Sequence, residues 1–186
     1  GAPANVALGS YAAHNVTTGG YNVFAGYYAG VNVTTGTKNV ALGHNALRTL
    51  TTNSYNTAVG DQALYDYSGS ETITTGAYNT VVGKGAGGSI TTASTVTAMG
   101  YNAAPSVTTG SENVVIGNST CSNGGSTTFS TSVIIGADAV QGQAYTGQGN
   151  VVIGRQAGYH MSSADYNVVI GMNSGDAGGF SGNKNV

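Results

Sequence analysis

The pentapeptide NVALG stands at residues 5–9 and returns unchanged at residues 39–43, 34 positions later. Its closing glycine recurs more often than the exact string: Gly9, Gly26, Gly43, Gly60, Gly83, Gly100, Gly117, Gly136, Gly154 and Gly171. The steps are 17, 17, 17, 23, 17, 17, 19, 18 and 17, so the unit is 17 residues and the identical copies lie two units apart. An asparagine opens the unit at positions 5, 22, 39, 56, 79, 113, 150 and 167, with Val96 and Ser132 in the two other places. Three residues past the glycine comes alanine in eight units, with Thr120 and Ser174 as small substitutes. Later in the unit stands Thr-Thr-Gly, intact at residues 17–19, 34–36, 74–76 and 108–110.

Self-similarity at a fixed short period is the signature of a stacked repeat. Seventeen residues are too few for a helix pair or a propeller blade. They suit one coil of an all-β solenoid, or β-roll, built from two strands of about five residues and two turns. Composition agrees: 31 glycines, no tryptophan and 6% charged residues leave threonine, valine, asparagine and tyrosine, which favour short strands and tight turns. About ten coils stacked about 4.8 Å apart make a rod roughly 50 Å long. The recurring asparagine is expected to stack on its neighbours above and below, its amide bonding along the ladder. The chain ends in KNV, the opening of a further unit. Residues 1–186 therefore read as one solenoid domain, an excerpt of a longer fibrous chain.

Strand alternation divides the repeat into two stripes. The first holds pairs such as Val6/Leu8, Val40/Leu42 and Val151/Ile153. The second holds Ala7, Phe24, Ala41, Ala58, Val81, Ala98, Val115, Ile134, Val152 and Val169. Both are apolar, yet a single coil has one interior, so one stripe requires a partner. Self-association in a closed, parallel homotrimer is the economical expectation, with the second stripe placed on the three-fold axis.

Units such as NVALGSYA, NTAVGDQAL and NVVIGRQAG resemble the head repeats of trimeric autotransporter adhesins of the YadA-like kind. They are still more similar to repeats in tail fibres of bacterial viruses. The resemblance covers essentially the whole chain. It implies an extended homotrimeric fibre at a virion or cell surface that contacts host glycans or proteins, with a bacterial adhesin head as the alternative.

Function in a solenoid concentrates where the repeat is interrupted. The six-residue insertion between Gly60 and Gly83 carries Tyr65, Asp66, Tyr67 and Glu71, two aromatics and two acids in a chain poor in charge. These four residues form a candidate receptor-binding loop; the competing reading is a tolerated surface bulge. A second interruption near Cys121 brings in Phe129, read as packing over the coil, and Cys121 itself reads as a small packing residue. Tyr21, Tyr55, Tyr78 and Tyr166 each precede the opening asparagine and form a partial edge stripe, either capping the corner or offering a glycan surface.

Other chemistries fit poorly. Five scattered cations and a net charge of −2 offer no nucleic-acid footprint, and no apolar run is long enough for membrane insertion. GKGAGG at residues 83–88 matches a dinucleotide-binding pattern, yet it is the ordinary repeat glycine followed by glycine-rich variable positions. His14, His44 and His160 share no spacing, so neither a metal site nor a cofactor is expected, and no catalytic constellation emerges. Threonine ladders keep an ice-binding solenoid as a second alternative, and a polysaccharide-cleaving pair among Asp61, Asp66 and Glu71 as a remote third.

Overall fold

A computed structural model describes residues 3–67, 76–122, 127–142, 144–175 and 182. Each coil contributes one three-residue strand: β1 (Val6–Leu8), β2 (Val23–Ala25), β3 (Val40–Leu42), β4 (Thr57–Val59), β5 (Thr80–Val82), β6 (Thr97–Met99), β7 (Val114–Ile116), β8 (Val133–Ile135), β9 (Val151–Ile153) and β10 (Val168–Ile170). All ten form a single parallel sheet in chain order. Register never slips: Val6 pairs Val23, Val40 pairs Thr57, and across the six-residue insertion Thr57 still pairs Thr80. The all-β solenoid expected from the 17-residue period is therefore the observed fold.

Among the described residues the second strand expected in each coil is not found. Left-handed backbone interrupts the rest of the coil at fixed places. Two residues after the repeat glycine φ is positive in every coil, as at Tyr11 (59°), Asn45 (56°) and Asp138 (57°). Four residues after it φ is positive again, including Leu47 (52°) and the β-branched Val140 (51°). A third such position precedes the opening asparagine, at Tyr21, Lys38, Tyr55, Tyr78 and Tyr166 among others. Each left-handed L-residue costs about 1–2 kcal/mol in isolation, so the stacked inter-coil bonds hold the turns in place. Those bonds are regular: Gly43 N–H donates to Ala25 O at 2.8 Å, Asn45 N–H to Tyr27 O at 2.9 Å, and Leu47 N–H to Ala63 O at 3.1 Å.

The repeat glycine has two reasons to be glycine. At Gly43 φ is +137°, and an added Cβ would lie 2.4 Å from the carbonyl oxygen of Gly60 in the next coil. The site therefore combines a conformation denied to L side chains with direct backbone stacking.

The asparagine ladder differs from simple amide-on-amide stacking. Asn39 Oδ1 accepts from the backbone N–H of Asn56 in the next coil at 2.9 Å, while its Nδ2 donates to Asn53 O at 2.8 Å. Asn5, Asn22, Asn79, Asn113 and Asn150 repeat both bonds with their counterparts. Each asparagine thus ties its coil to the N–H just before the next strand and to the corner three residues earlier. Serine hydroxyls form a second ladder, in which Ser94 N–H donates to Ser111 Oγ at 3.0 Å and Ser111 N–H to Ser130 Oγ at 3.2 Å. The first threonine of the described Thr-Thr-Gly motifs, Thr17, Thr34 and Thr108, is also consumed between coils, as Thr34 Oγ1 donates to Thr51 O at 3.1 Å.

The interior overturns one expectation. Phe24, Ala41, Ala58, Val81, Ala98, Val115, Ile134 and Val152 are wholly buried within the single chain, and Val169 is 6% exposed. The stripe assigned to the three-fold axis is therefore the coil's own core; Ala7 alone lies open, in the first coil. The physical reason lies on the opposite wall, where Leu47, Leu50, Leu64, Ile90, Val107 and Met161 also point inward and need the strand centres to pack against. Packing is complementary from coil to coil. Phe24 faces Gly30, where an added Cβ would come within 2.6 Å of its ring. In the next two coils Ala41 and Ala58 are matched by Leu47 and Leu64 at the position of Gly30. In these three coils a large strand centre takes a small partner and a small centre a large one, which keeps the interior filled; Ala98 with Ala104 and Ile134 with Val140 do not follow that exchange. Phe129 is fully buried against Tyr145, ring centroids 5.1 Å apart, as its packing role required. Cys121 is buried too, and its surroundings raise its thiol pKa far above the ordinary range.

Candidate functional site

Of the four candidate loop residues the structure describes Tyr65, Asp66 and Tyr67. Asp66 is only 3% exposed, and its N–H donates to Thr49 Oγ1 at 3.2 Å, so its carboxyl cannot serve as an open ligand-binding acid. Burial of that side chain speaks against Asp66 as a receptor contact. Glu71 lies outside the described residues. Tyr65 and Tyr67 do reach the surface and meet edge to face, with centroids 5.2 Å apart. Tyr67 lies across Gly88, where an added Cβ would stand 2.3 Å from its ring, and its hydroxyl donates to Gln62 Oε1 at 3.1 Å. The glycine-rich 83–88 segment thus makes room for a tyrosine. Partial burial, with the Asp61 carboxylate nearby, raises the Tyr67 hydroxyl above its ordinary pKa.

Tyr65 belongs to a larger constellation on the turn edge of the first coils. The residue five places after the repeat glycine is His14, Val31, Arg48 and Tyr65 in coils one to four. Stacking sets these and their neighbours on successive rungs. Tyr11 and Tyr28 lie nearly parallel, with centroids 4.9 Å apart and planes inclined by 9°. Arg48 sits 5.1 Å over Tyr28 and 5.8 Å from the Tyr65 centroid, a guanidinium between two rings. Beside this column runs another, one place after the glycine. Tyr27 stacks on His44 at 5.8 Å, His44 Nδ1 meets Asp61 Oδ1 at 2.8 Å, and Lys84 Nζ lies 3.6 Å from Asp61 Oδ2. Asn45 Nδ2 donates to His44 Nε2 at 2.9 Å, which assigns the proton facing Asp61 to Nδ1. The hydrogen bond with Tyr28, followed by smaller effects, raises the Tyr27 hydroxyl pKa.

These side chains surround a recess of about 300 Å³ lined by Tyr11, His14, Asn15, Tyr28, Val31, Asn32 and Arg48. At its rim His14 Nδ1 contacts Asn15 Oδ1 at 2.9 Å, and Asn15 Nδ2 donates to Asn32 Oδ1 at 3.2 Å. Sequence reading from the insertion named none of the recess residues, only Tyr65 beside Arg48. Writing the coils as columns supplies the missing signal: aromatic and cationic residues cluster at the same turn positions of adjacent coils.

The edge stripe of Tyr21, Tyr55, Tyr78 and Tyr166 is exposed at every member. Tyr55 and Tyr78 stack at 4.9 Å, and Lys38 Nζ donates to Tyr55 Oη at 3.2 Å. Among the described residues no three histidine, cysteine or acidic side chains come together as metal ligands, and no helix is long and apolar enough to cross a membrane.

Set against family models, curated proteins and solved structures, the chain matches none. The functional reading therefore rests on the geometry of the coil itself.

Proposed function

We propose that this chain is a segment of a homotrimeric surface fibre, of the viral tail-fibre kind, with a structural and host-binding role rather than a catalytic one. Carrying this reading is the outward face of the sheet. The two flanking residues of every strand point away from the core, and none of them is charged: the face is valine, leucine, isoleucine, alanine and methionine, interrupted by Thr57, Thr80 and Thr97. Leu8, Leu42, Met99 and Ile170 are 71%, 37%, 43% and 63% exposed in the single chain. A continuous apolar ribbon of that length is unfavourable in water, and a second copy offers the same spacing, flatness and chemistry. Three copies meeting on these faces close the assembly and leave the turn edges, with their tyrosines, facing outward to a host glycan or protein.

Sedimentation equilibrium tests this directly, with an expected mass three times the 18.4 kDa of one chain. Ile135→Glu and Ile153→Glu, which place charge on the half-buried outer face without touching the core, are expected to give folded monomers. A wild-type monomer at micromolar concentration overturns the trimer.

An ice-binding role is favoured by one separate observation. Among the described residues the second threonine of the Thr-Thr pair is exposed at Thr18, Thr35, Thr52, Thr92, Thr109 and Thr128, within Thr-Thr-Gly or its degraded forms. Thermal hysteresis at millimolar protein decides between a lattice-matching file and ordinary turn residues.

A further inference from the structure

We propose that the recess between Tyr11, Tyr28 and Arg48 binds an acidic sugar residue, by a carboxylate on Arg48 and hydroxyls on the asparagine rim. This names a ligand class for the fibre reading and rests on it only for biological context, because one chain supplies every residue of the recess.

Arg48 supplies the first argument. It is half-buried, held over Tyr28 and near Tyr65, and enters no ion pair among the described residues. Among the described residues its guanidinium makes one hydrogen bond, a marginal 3.5 Å contact from an Nη to Asn45 Oδ1. The nearby acid Asp61 is already engaged by His44 and Lys84. Most donors of a rigid, planar fork are therefore left for a ligand, and a planar carboxylate matches that fork with two parallel bonds.

The second argument is the remainder of the lining. Recesses that hold small ligands start near 300 Å³, and this one has about that volume. Val31 and the tyrosine ring edges give an apolar floor suited to the C–H face of a pyranose. The linked Asn15–Asn32 amides and His14 place donors and acceptors along one rim, the pattern needed by neighbouring hydroxyls. Inorganic anions would use Arg48 and ignore the rest.

Saturation-transfer NMR on the full chain reads ligand protons and tolerates a large assembly. Galacturonate is expected to give saturation transfer with millimolar affinity, and galactose at least tenfold weaker. Arg48→Gln is expected to reduce galacturonate binding at least tenfold. Arg48→Lys, which keeps the charge but loses the fork, is expected to fall between, and Arg155→Gln in a distant coil to bind as wild type. Equal response to galactose, unchanged binding in Arg48→Gln, or displacement by acetate or inorganic phosphate at equal concentration overturns the proposal. Sedimentation of the same variants separates the two readings: a trimer that ignores galacturonate retains the fibre and removes the site, while a monomer that binds it does the reverse.

Discussion

Coils one to four and coils seven to ten share a backbone and differ at their surfaces. In the first group the turn edge carries Tyr11, Tyr27, Tyr28, His44, Arg48, Asp61 and Tyr65, while in the second the matching places hold Asn118, Ser119, Ser122, Ala137, Asp138, Gln141, Gln156, Met172 and Asn173, with a cation and an aromatic only at Arg155 and Tyr159 among the described residues. The outer sheet face runs the opposite way. Strands β7 to β10 present valine and isoleucine without exception, whereas β1 to β6 mix in Ala25, Met99 and three threonines. The backbone demands glycine, asparagine and a filled interior everywhere. Outward positions are released from that demand, so recognition and association can concentrate in different halves of one rod.

The sharpest way to break this comparison is to attack what both halves share. Gly43→Ala and Gly136→Ala each force a side chain into φ near +140° and within 2.4 and 2.2 Å of the next coil's carbonyl oxygen. Each is expected to cost at least about 4 kcal/mol in urea unfolding, equally in both halves. Unequal losses at Gly43 and Gly136 would show that the two halves are not one framework.

Interior complementarity gives a second, smaller test. Phe24→Ala is expected to cost about 3–4 kcal/mol by leaving a cavity. Adding Gly30→Leu reproduces the Ala41/Leu47 pair of the next coil and is expected to recover at least about 1 kcal/mol, despite the left-handed φ of 58° at that site. Gly30→Leu alone would clash with Phe24, so the cycle is expected to be strongly non-additive. Additive behaviour would mean that strand centre and facing wall do not share one space.

The smallest effect concerns the turns between the halves. Thr95 is an exposed β-branched residue at φ 55°. Thr95→Asn is expected to stabilise by about 0.5–1 kcal/mol, since asparagine tolerates the left-handed region. A loss of stability would assign the Thr95 hydroxyl, which donates to Ser94 O at 2.6 Å, a larger role than the backbone strain.

The sequence made the coil legible through its glycines, because their requirement is steric and admits no other residue. The asparagines were legible as a ladder but not in their geometry, since stacking and cross-coil bonding call for the same residue. Which stripe faced inward was not legible from alternation, which is symmetric between two apolar sides. The decision lay outside the strand, in the reciprocal sizes of Phe24 with Gly30 and Ala41 with Leu47. Left-handed turns at Tyr21, Lys38 and Leu47 left no trace because those residue types seldom adopt them. The Tyr11–Arg48 recess was hidden for another reason: its members are 37 residues apart in the chain and meet only through the stacking.

The unbroken register has a consequence for size. Thr57 pairs Thr80 across 23 residues with the same partners that 17 residues give elsewhere. The sheet therefore measures length in coils, not residues. Extra segments at the corner leave the distance from one end of the rod to the other unchanged. Such a chain acts as a ruler whose marks are its glycines: duplicating a unit extends it by one strand spacing, and lengthening a loop alters what it touches without altering how far it reaches.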